Sequence, residues 1–294
     1  MNPWPAEVRR RGAVAWSRLA LAWLLALCAV PGAWAQARVV TLGGTVTEIV
    51  YALGAGDAVV GTDISSLYPP EATRLPQVGY YRSVPVEGVA ALRPDLVLAS
   101  EQAGPPDALA RLQSLGLTVV KVPDGATLAS LRARIVAVAA ALGREAQAGG
   151  LVGQLERELA RAQAVEAPPL RTLVIMNRSG TPLGAGDGSA ADAILKLAGL
   201  NNVLAGQRGY QPLSAESLLT LAPELIVVTA TSLPASGGMD GLLASPGIAG
   251  TPAARHGGVI EMDDLLILGL GPRLPQAVQA LKAGAARAGQ RATR

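Results

Sequence analysis

Short apolar runs alternate along this chain with segments whose apolar residues return every three or four positions. Arg38-Val39-Val40-Thr41-Leu42 reads as a buried strand running into Gly43-Gly44. Ile49, Val50 and Leu53 then fall on one side of a helix that Thr45 or Thr47 is placed to cap and that Gly54 ends. Ala58 to Gly61, Asp95 to Ala99 and Leu117 to Val120 read as further strands, and Val86 to Leu92 and Asp107 to Leu115 as helices. Strands alternating with helices predict βα units around a mostly parallel sheet.

From Thr127 the period becomes helical, with Leu128, Leu131, Ile135, Val138 and Leu142 in steps of three and four. Gly143 interrupts it. A second helical stretch runs from Arg144 to about Val165, carries Leu151, Leu155 and Leu159 on one face, and stops before Pro168-Pro169. About 22 residues at 1.5 Å each make a rod of roughly 33 Å, long enough to join two domains. Spacing alone also fits an ordinary packing helix. The pattern resumes at Leu170, with strands at Leu173 to Met176, Leu225 to Thr229 and Val259-Ile260, and helices at Ala190 to Leu197 and Pro275 to Ala285. The tail beyond Arg287 is expected to fray.

The two halves repeat one another. Gly79-Tyr80, Glu87 and Leu92-Arg93-Pro94-Asp95-Leu96 return as Gly209-Tyr210, Glu216 and Leu221-Ala222-Pro223-Glu224-Leu225. Glu48 to Gly54 is echoed by Asp192 to Gly199. Two similar lobes on one chain imply a cleft between them, where ligands bind.

The first residues read as an export signal: Arg9, Arg10 and Arg11, an apolar run from Leu19 to Val30, and a small-x-small site at Ala33-Trp34-Ala35. The run is short of the roughly 20 residues that span a bilayer. Leu27 before Cys28 speaks against a lipid anchor. Cleavage after Ala35 lowers Lys+Arg from 25 to 21 and Asp+Glu from 22 to 21, by removing Arg9, Arg10, Arg11, Arg18 and Glu7. The mature chain is then close to neutral, which argues against an electrostatic nucleic-acid binder. It also loses its only cysteine, so its stability rests on an apolar core.

His256 is the only histidine and sits in a turn-like stretch, so a transition-metal site or a Ser/His or Cys/His hydrolase is hard to assemble. Gly184-Ala185-Gly186-Asp187-Gly188 resembles a phosphate-cradling loop but lacks the full glycine pattern; it reads better as a flexible cleft-edge loop, with Gly43-Gly44 its counterpart. Tyr80-Tyr81-Arg82 is the most chemical cluster. A neighbouring guanidinium favours a phenolate, and a phenolate is a good axial ligand for ferric haem. Glu87 and Glu216 each begin a short helix, which a carboxylate favours in any case.

The chain resembles the solute-binding proteins of bacterial ABC importers for haem, cobalamin and ferric siderophores. The resemblance covers nearly all of residues 38–285 and is strongest to the periplasmic haem-binding branch. It is carried by Val78-Gly79-Tyr80-Tyr81-Arg82-Ser83-Val84-Pro85-Val86-Glu87-Gly88, by Gly238 to Leu243, by Ser245 to Ala253 and by Met262 to Arg273. It implies an α/β fold of two Rossmann-like lobes with mostly parallel sheets, joined by a single long helix, in the manner of class III periplasmic binding proteins. The expected division is signal peptide 1–35, N-terminal lobe 36–143, linking helix 144–167 and C-terminal lobe 168–294. It implies a periplasmic carrier, not an enzyme, with haem as cargo. Tyr80 matches the haem-iron tyrosine, with Tyr81 second, and Arg82 matches the arginine that steadies the phenolate. Glu87 and Glu216 match the carboxylates that dock on the permease dimer, which works with a cytoplasmic ATPase. An outer-membrane haem receptor is implied upstream. From the second lobe, Arg208 and Tyr210 are the candidate contacts. A cobalamin or siderophore carrier of the same class is the alternative, and a nucleotide-using enzyme a remote one.

Overall fold

The structure, a computed structural model, describes residues 37–177 and 181–293. The basic start, the apolar run, Cys28 and the cleavage site lie outside the described residues. The first lobe runs β1 (Val39–Leu42), α1 (Gly44–Ala52), β2 (Val59–Thr62), α2 (Val86–Ala91), β3 (Leu96–Ser100), α3 (Pro106–Ser114) and β4 (Thr118–Val122). Its four strands are parallel in the order β2-β1-β3-β4, with Val39 opposite Leu96 and Leu96 opposite Thr118. The chain leaves β1 to one side for β2 and then crosses back past β1 to β3 on the other side. Loops therefore diverge beyond the carboxyl ends of β1 and β3, which is where open α/β sheets place ligands.

Two helices follow. α4 (Leu128–Leu142) is capped by the Thr127 hydroxyl, which accepts from Ser130 N, and ends at Gly143 with φ 63°. α5 (Glu145–Ala164) is about 30 Å long at 1.5 Å per residue. It is not a bare strut, because Ala148, Leu155, Leu159 and Ala162 are buried along it.

The second lobe contains β5 (Arg171–Met176), β6 (Leu183–Ala185), α6 (Ala190–Leu197), β7 (Asn201–Asn202), β8 (Tyr210–Pro212), α7 (Ala215–Leu221) and β9 (Leu225–Thr229). It continues with α8 (Gly238–Ala244), α9 (Pro246–Ala249), α10 (Pro252–Arg255), β10 (Val259–Met262), α11 (Asp264–Leu268) and α12 (Leu274–Ala292). β7, β5, β9 and β10 are parallel and reproduce the order of the first sheet; β6 and β8 add an antiparallel pair on β5. One apolar core joins the lobes, from Val39 and Leu98 through Ile135, Leu155 and Leu159 to Val174, Val227 and Leu281.

Three expectations are corrected. Gly43, not a threonine, precedes α1; Thr45 and Thr47 lie inside the helix, and Thr47 Oγ1 is 2.7 Å from both Thr41 Oγ1 and Ser66 Oγ. The closing helix does not fray after Arg287 but continues to Ala292, because buried Val278, Leu281, Ala285 and Ala288 extend its apolar face. β6, β7 and β8 were not expected; they are two or three residues long and rich in Gly, Pro and Asn, which carry little strand signal.

The repeat is visible in hydrogen bonds. Arg38 N donates to Asp95 at 2.8 Å and its guanidinium to Leu92 O at 2.8 Å; Arg171 N donates to Glu224 at 2.9 Å and its guanidinium to Leu221 O at 2.6 Å. Arg93 and Ala222 leave the helices before these acids at φ 46° and 43°. A side chain in that left-handed region costs about 1–2 kcal/mol, and glycine returns part of it as unfolded-state entropy. Ala222→Gly is therefore expected to stabilise the protein by about 0.5–1 kcal/mol, measured by urea unfolding.

Candidate functional site

A cavity of about 690 Å³ opens at the carboxyl ends of both sheets. Gly43, Ser100, Gln102 and Asp124 line it from the first lobe, and Met176, Ser189, Tyr210, Leu265 and Leu268 from the second. Tyr80, Tyr81 and Arg82 all lie on its wall. Backbone pairing brings them there. Thr62 N donates to Pro76 O at 3.0 Å, Val78 N to Thr62 O at 2.8 Å and Ile64 N to Gly79 O at 2.8 Å, zipping the segment after β2 onto residues 76–79. Gly79 then turns the chain at φ 100°, and Ser83 N closes a tight turn onto Tyr80 O at 2.8 Å.

The two tyrosine rings meet edge to face with centroids 5.0 Å apart, and the Arg82 guanidinium lies 5.0 Å from the Tyr81 ring centre. Burial pushes the Tyr81 hydroxyl up, with Arg82 only partly opposing it. Burial lowers Arg82, but the two phenol groups outweigh it and its basicity rises. Arg82 also hydrogen-bonds Gln102 Oε1, and Gln102 Nε2 donates to Asp124 O at 3.2 Å. Ser100 Oγ donates to Asp124 Oδ2 at 2.6 Å, and Arg134 pairs with Asp124 Oδ1 at 2.9 Å. Burial pushes Asp124 up and Arg134 down, while their pairing opposes both changes.

The network crosses between lobes. Arg134 Nη1 donates to Gly269 O and Leu270 O, each at 3.3 Å, and Thr45 Oγ1 donates to Gly269 O at 3.0 Å. Glu48 of α1, 3 % exposed, receives Arg273 N at 3.1 Å and Arg273 Nη2 at 3.3 Å. Arg273 Nε lies 3.2 Å from Glu48 Oε1 as an ion pair, out of line for a hydrogen bond. Its guanidinium also stacks 3.7 Å from the Tyr68 ring centre and reaches Asp263 at 3.1 Å. Neither Arg134 nor the Glu48–Arg273 pair carried a functional signal in the sequence.

The other expected residues separate. Tyr210 reaches the cavity wall and is 40 % exposed; Arg208 is exposed and not part of that wall. Glu87 and Glu216 are exposed in the first turns of α2 and α7, equivalent helices of the two lobes. His256 is half-buried after α10, and among the described residues no group of three His, Cys, Asp or Glu side chains could hold a metal ion. The glycine segment 184–188 is tied down rather than flexible. Gly186 N donates to Gly209 O and Asp187 N to Gln207 O, each at 2.7 Å. Gly43 N and Gly44 N donate to Asp63 and Ser65. These amides are already engaged, which leaves no phosphate cradle at either segment.

Residues 39–266 match the periplasmic binding protein family, and the chain belongs to it. An uncharacterised ABC transporter substrate-binding lipoprotein of Bacillus subtilis, YvrC, is 30 % identical over 256 residues, covering 83 % of this chain and 78 % of that protein. A vitamin B12-binding protein of Pectobacterium atrosepticum is 29 % identical over 222 residues, covering 72 % and 78 %. The apo structure of the periplasmic heme-binding protein RhuT from Roseiflexus sp. RS-1 superposes with a TM-score of 0.82 at 37 % identity, covering 86 % of this chain and 99 % of that one. The chain is thus an α/β protein of two lobes, a substrate-binding component of an ABC importer, in a family that binds solutes rather than transforming them.

Burial raises the Glu48 carboxyl above its ordinary value near 4.5, against the opposing pull of Arg273. The native state then holds that proton more tightly than the unfolded chain does. This contribution to stability is greatest below pH 4.5 and declines as pH rises through the raised value. Glu48→Gln removes it. Urea unfolding across pH 4 to 8 is expected to show a flatter stability profile for the variant than for the wild type in that window.

Proposed function

We propose that this protein captures haem in the interlobe cavity and delivers it to the permease of its importer, with Tyr80 as the iron ligand. The observation that carries this reading is the Tyr80-Tyr81-Arg82 turn on the wall of a cavity whose described lining contains no histidine or cysteine. Ferric iron favours a hard anionic donor, and a tyrosine phenolate is an established axial ligand for haem. Tyr80 is preferred to Tyr81 by its match to the family motif, and burial pushes the Tyr81 hydroxyl up. Arg82 supplies positive charge beside both rings. Tyr210 is the second-lobe contact, while Arg208 stands off the wall. The volume lies within the range of small-molecule sites, about 300–1,000 Å³, and leucines 265 and 268 offer apolar contact for a macrocycle. The 37 % identical heme-binding relative supports the choice of cargo.

The vitamin B12-binding relative favours a second reading, a cobalamin carrier on the same fold. Such a carrier needs no iron-ligating tyrosine. Either way, the protein acts in the periplasm after loss of residues 1–35. Its division is an N-terminal lobe 36–143, a linking helix 144–167 and a C-terminal lobe 168–294. Its partners are the permease dimer with its cytoplasmic ATPase and, on the haem reading, an outer-membrane haem receptor upstream.

Hemin added to residues 36–294 is expected to give a saturable one-to-one ferric spectrum of the phenolate type, which Tyr80→Ala abolishes. A spectrum unchanged by that substitution moves the ligand to Tyr81. Saturable cyanocobalamin binding without hemin binding selects the second reading. In a docking assay on permease in nanodiscs, Glu87→Ala with Glu216→Ala is expected to weaken association at least about tenfold while leaving the hemin spectrum intact.

A further inference from the structure

We propose that Asp63 is the positioning residue of the ligand loop, the group that fixes the direction in which Tyr80 meets the iron. This rests on the haem reading above. Asp63 is completely buried, and among the described residues no cation pairs with it. A buried carboxylate without a counter-ion is costly unless hydrogen-bond donors surround it. Here the donors come from three separate segments. Oδ1 accepts from Gly43 N, where β1 ends, and from Ser66 Oγ, each at 3.0 Å. Oδ2 accepts from Ser65 N at 3.1 Å and from Tyr81 N at 3.3 Å. Ser65 Oγ reaches both oxygens, at 3.0 and 2.7 Å.

The bond to Tyr81 has a particular place in the chain. Backbone pairing between the segment after β2 and residues 76–79 stops at Gly79, one residue short of Tyr80. Asp63 makes the next link. Gly104 N donates to Tyr81 O at 3.0 Å, so the Tyr81 backbone is held from both sides. Tyr80 is thereby suspended between a paired Gly79 and a clamped Tyr81. Its ring direction follows from those two anchors rather than from contacts with the cargo. An ionised carboxylate suits this task because both oxygens accept and charged acceptors bind donors more strongly. An asparagine cannot replace it, since one of its two terminal atoms is itself a donor. The same carboxylate holds Gly43, so the cavity floor and the ligand loop share one anchor.

Three proteins test this: wild type, Asp63→Asn and Ser66→Ala. Ser66→Ala removes one donor on the side away from Tyr81 and so reports a purely structural contribution. Each is loaded with hemin. The phenolate charge-transfer band, the ferric electron paramagnetic resonance signal and the rate of hemin loss to apomyoglobin are recorded beside a urea melt. Asp63→Asn is expected to bind hemin still, to show a weakened or heterogeneous phenolate signature, and to release hemin at least about tenfold faster. Ser66→Ala is expected to lower the melt and leave signature and release unchanged. Wild-type signature and release in Asp63→Asn, or equal changes in both variants, overturn the role of Asp63 while the haem reading stands. A wild type without a phenolate signature fails at the earlier step and takes this proposal with it. If Asp63→Asn does not fold, Ser65→Ala replaces it, with a smaller acceleration of release expected; no difference from Ser66→Ala is then the overturning result.

Discussion

The guanidinium of Arg134 closes the back of the cleft. The residue is 1 % exposed, so its charge has been taken almost wholly out of water. Such a transfer is sustained only by pairing and a full set of hydrogen bonds. Arg134 has both: Asp124 at 2.9 Å, Pro123 O at 2.7 Å, and Gly125 O, Gly269 O and Leu270 O at 3.3 Å. Two of these carbonyls belong to the second lobe. Separating the lobes at this point would strand a buried charge, which makes the seam resistant to opening. Glu48–Arg273, the Tyr68 stack and the Thr45 bond extend the seam along α1, and the core running through α4, α5 and α12 backs it.

Against that fixed frame, the two lobes use one architecture and then diverge where chemistry is wanted. Both start their central strand from an arginine whose amide meets an acid after a proline, and both turn into the cavity through a glycine–tyrosine pair, with Gly79 at φ 100° and Gly209 at φ 73°. In the first lobe the turn continues into Tyr81-Arg82 and is held by Asp63. In the second it continues into the short antiparallel strand of residues 210–212, which brings Tyr210 to the wall, while Arg208, two residues earlier, stands off it. Acids equivalent in the repeat diverge as well. Glu48 reaches across to Arg273, whereas Asp192 is answered within its own lobe by Lys196 at 2.7 Å and Asn202 at 2.8 Å. The first lobe thus carries both the Tyr80-Tyr81-Arg82 turn and a charged link to the other lobe.

Local pattern explains what could be read beforehand. Short apolar runs found seven of the ten strands among the described residues, including every strand of the two parallel cores except the two-residue β7. Tyr80, Tyr81 and Tyr210 were legible because the repeat and the motif marked them. What was missed depends on distance along the chain. Arg134 meets carbonyls 135 and 136 residues away, and Arg273 meets Glu48 across 225. No window on the sequence contains both partners. Asp63 did leave a trace: Asp63-Ile64-Ser65-Ser66 directly after a strand is a composition in which an acid gathers nearby amide and hydroxyl donors. The Tyr81 amide 18 residues later, which gives that acid its importance, leaves none.

A stiff seam also bears on how a carrier of this design releases its cargo. If the cavity exists before the ligand arrives, binding carries little ordering cost, and affinity rises for that reason. The same preorganisation slows release, because no spontaneous lobe opening weakens the site. The trigger then has to come from outside, and a partner that grips only one lobe would move the whole molecule. Gripping both lobes gives leverage across the seam. Glu87 and Glu216 stand exposed at the starts of equivalent helices, one on each lobe. On the proposed reading, the repeat serves delivery as much as capture: it presents two matching handles on either side of a joint that does not open by itself.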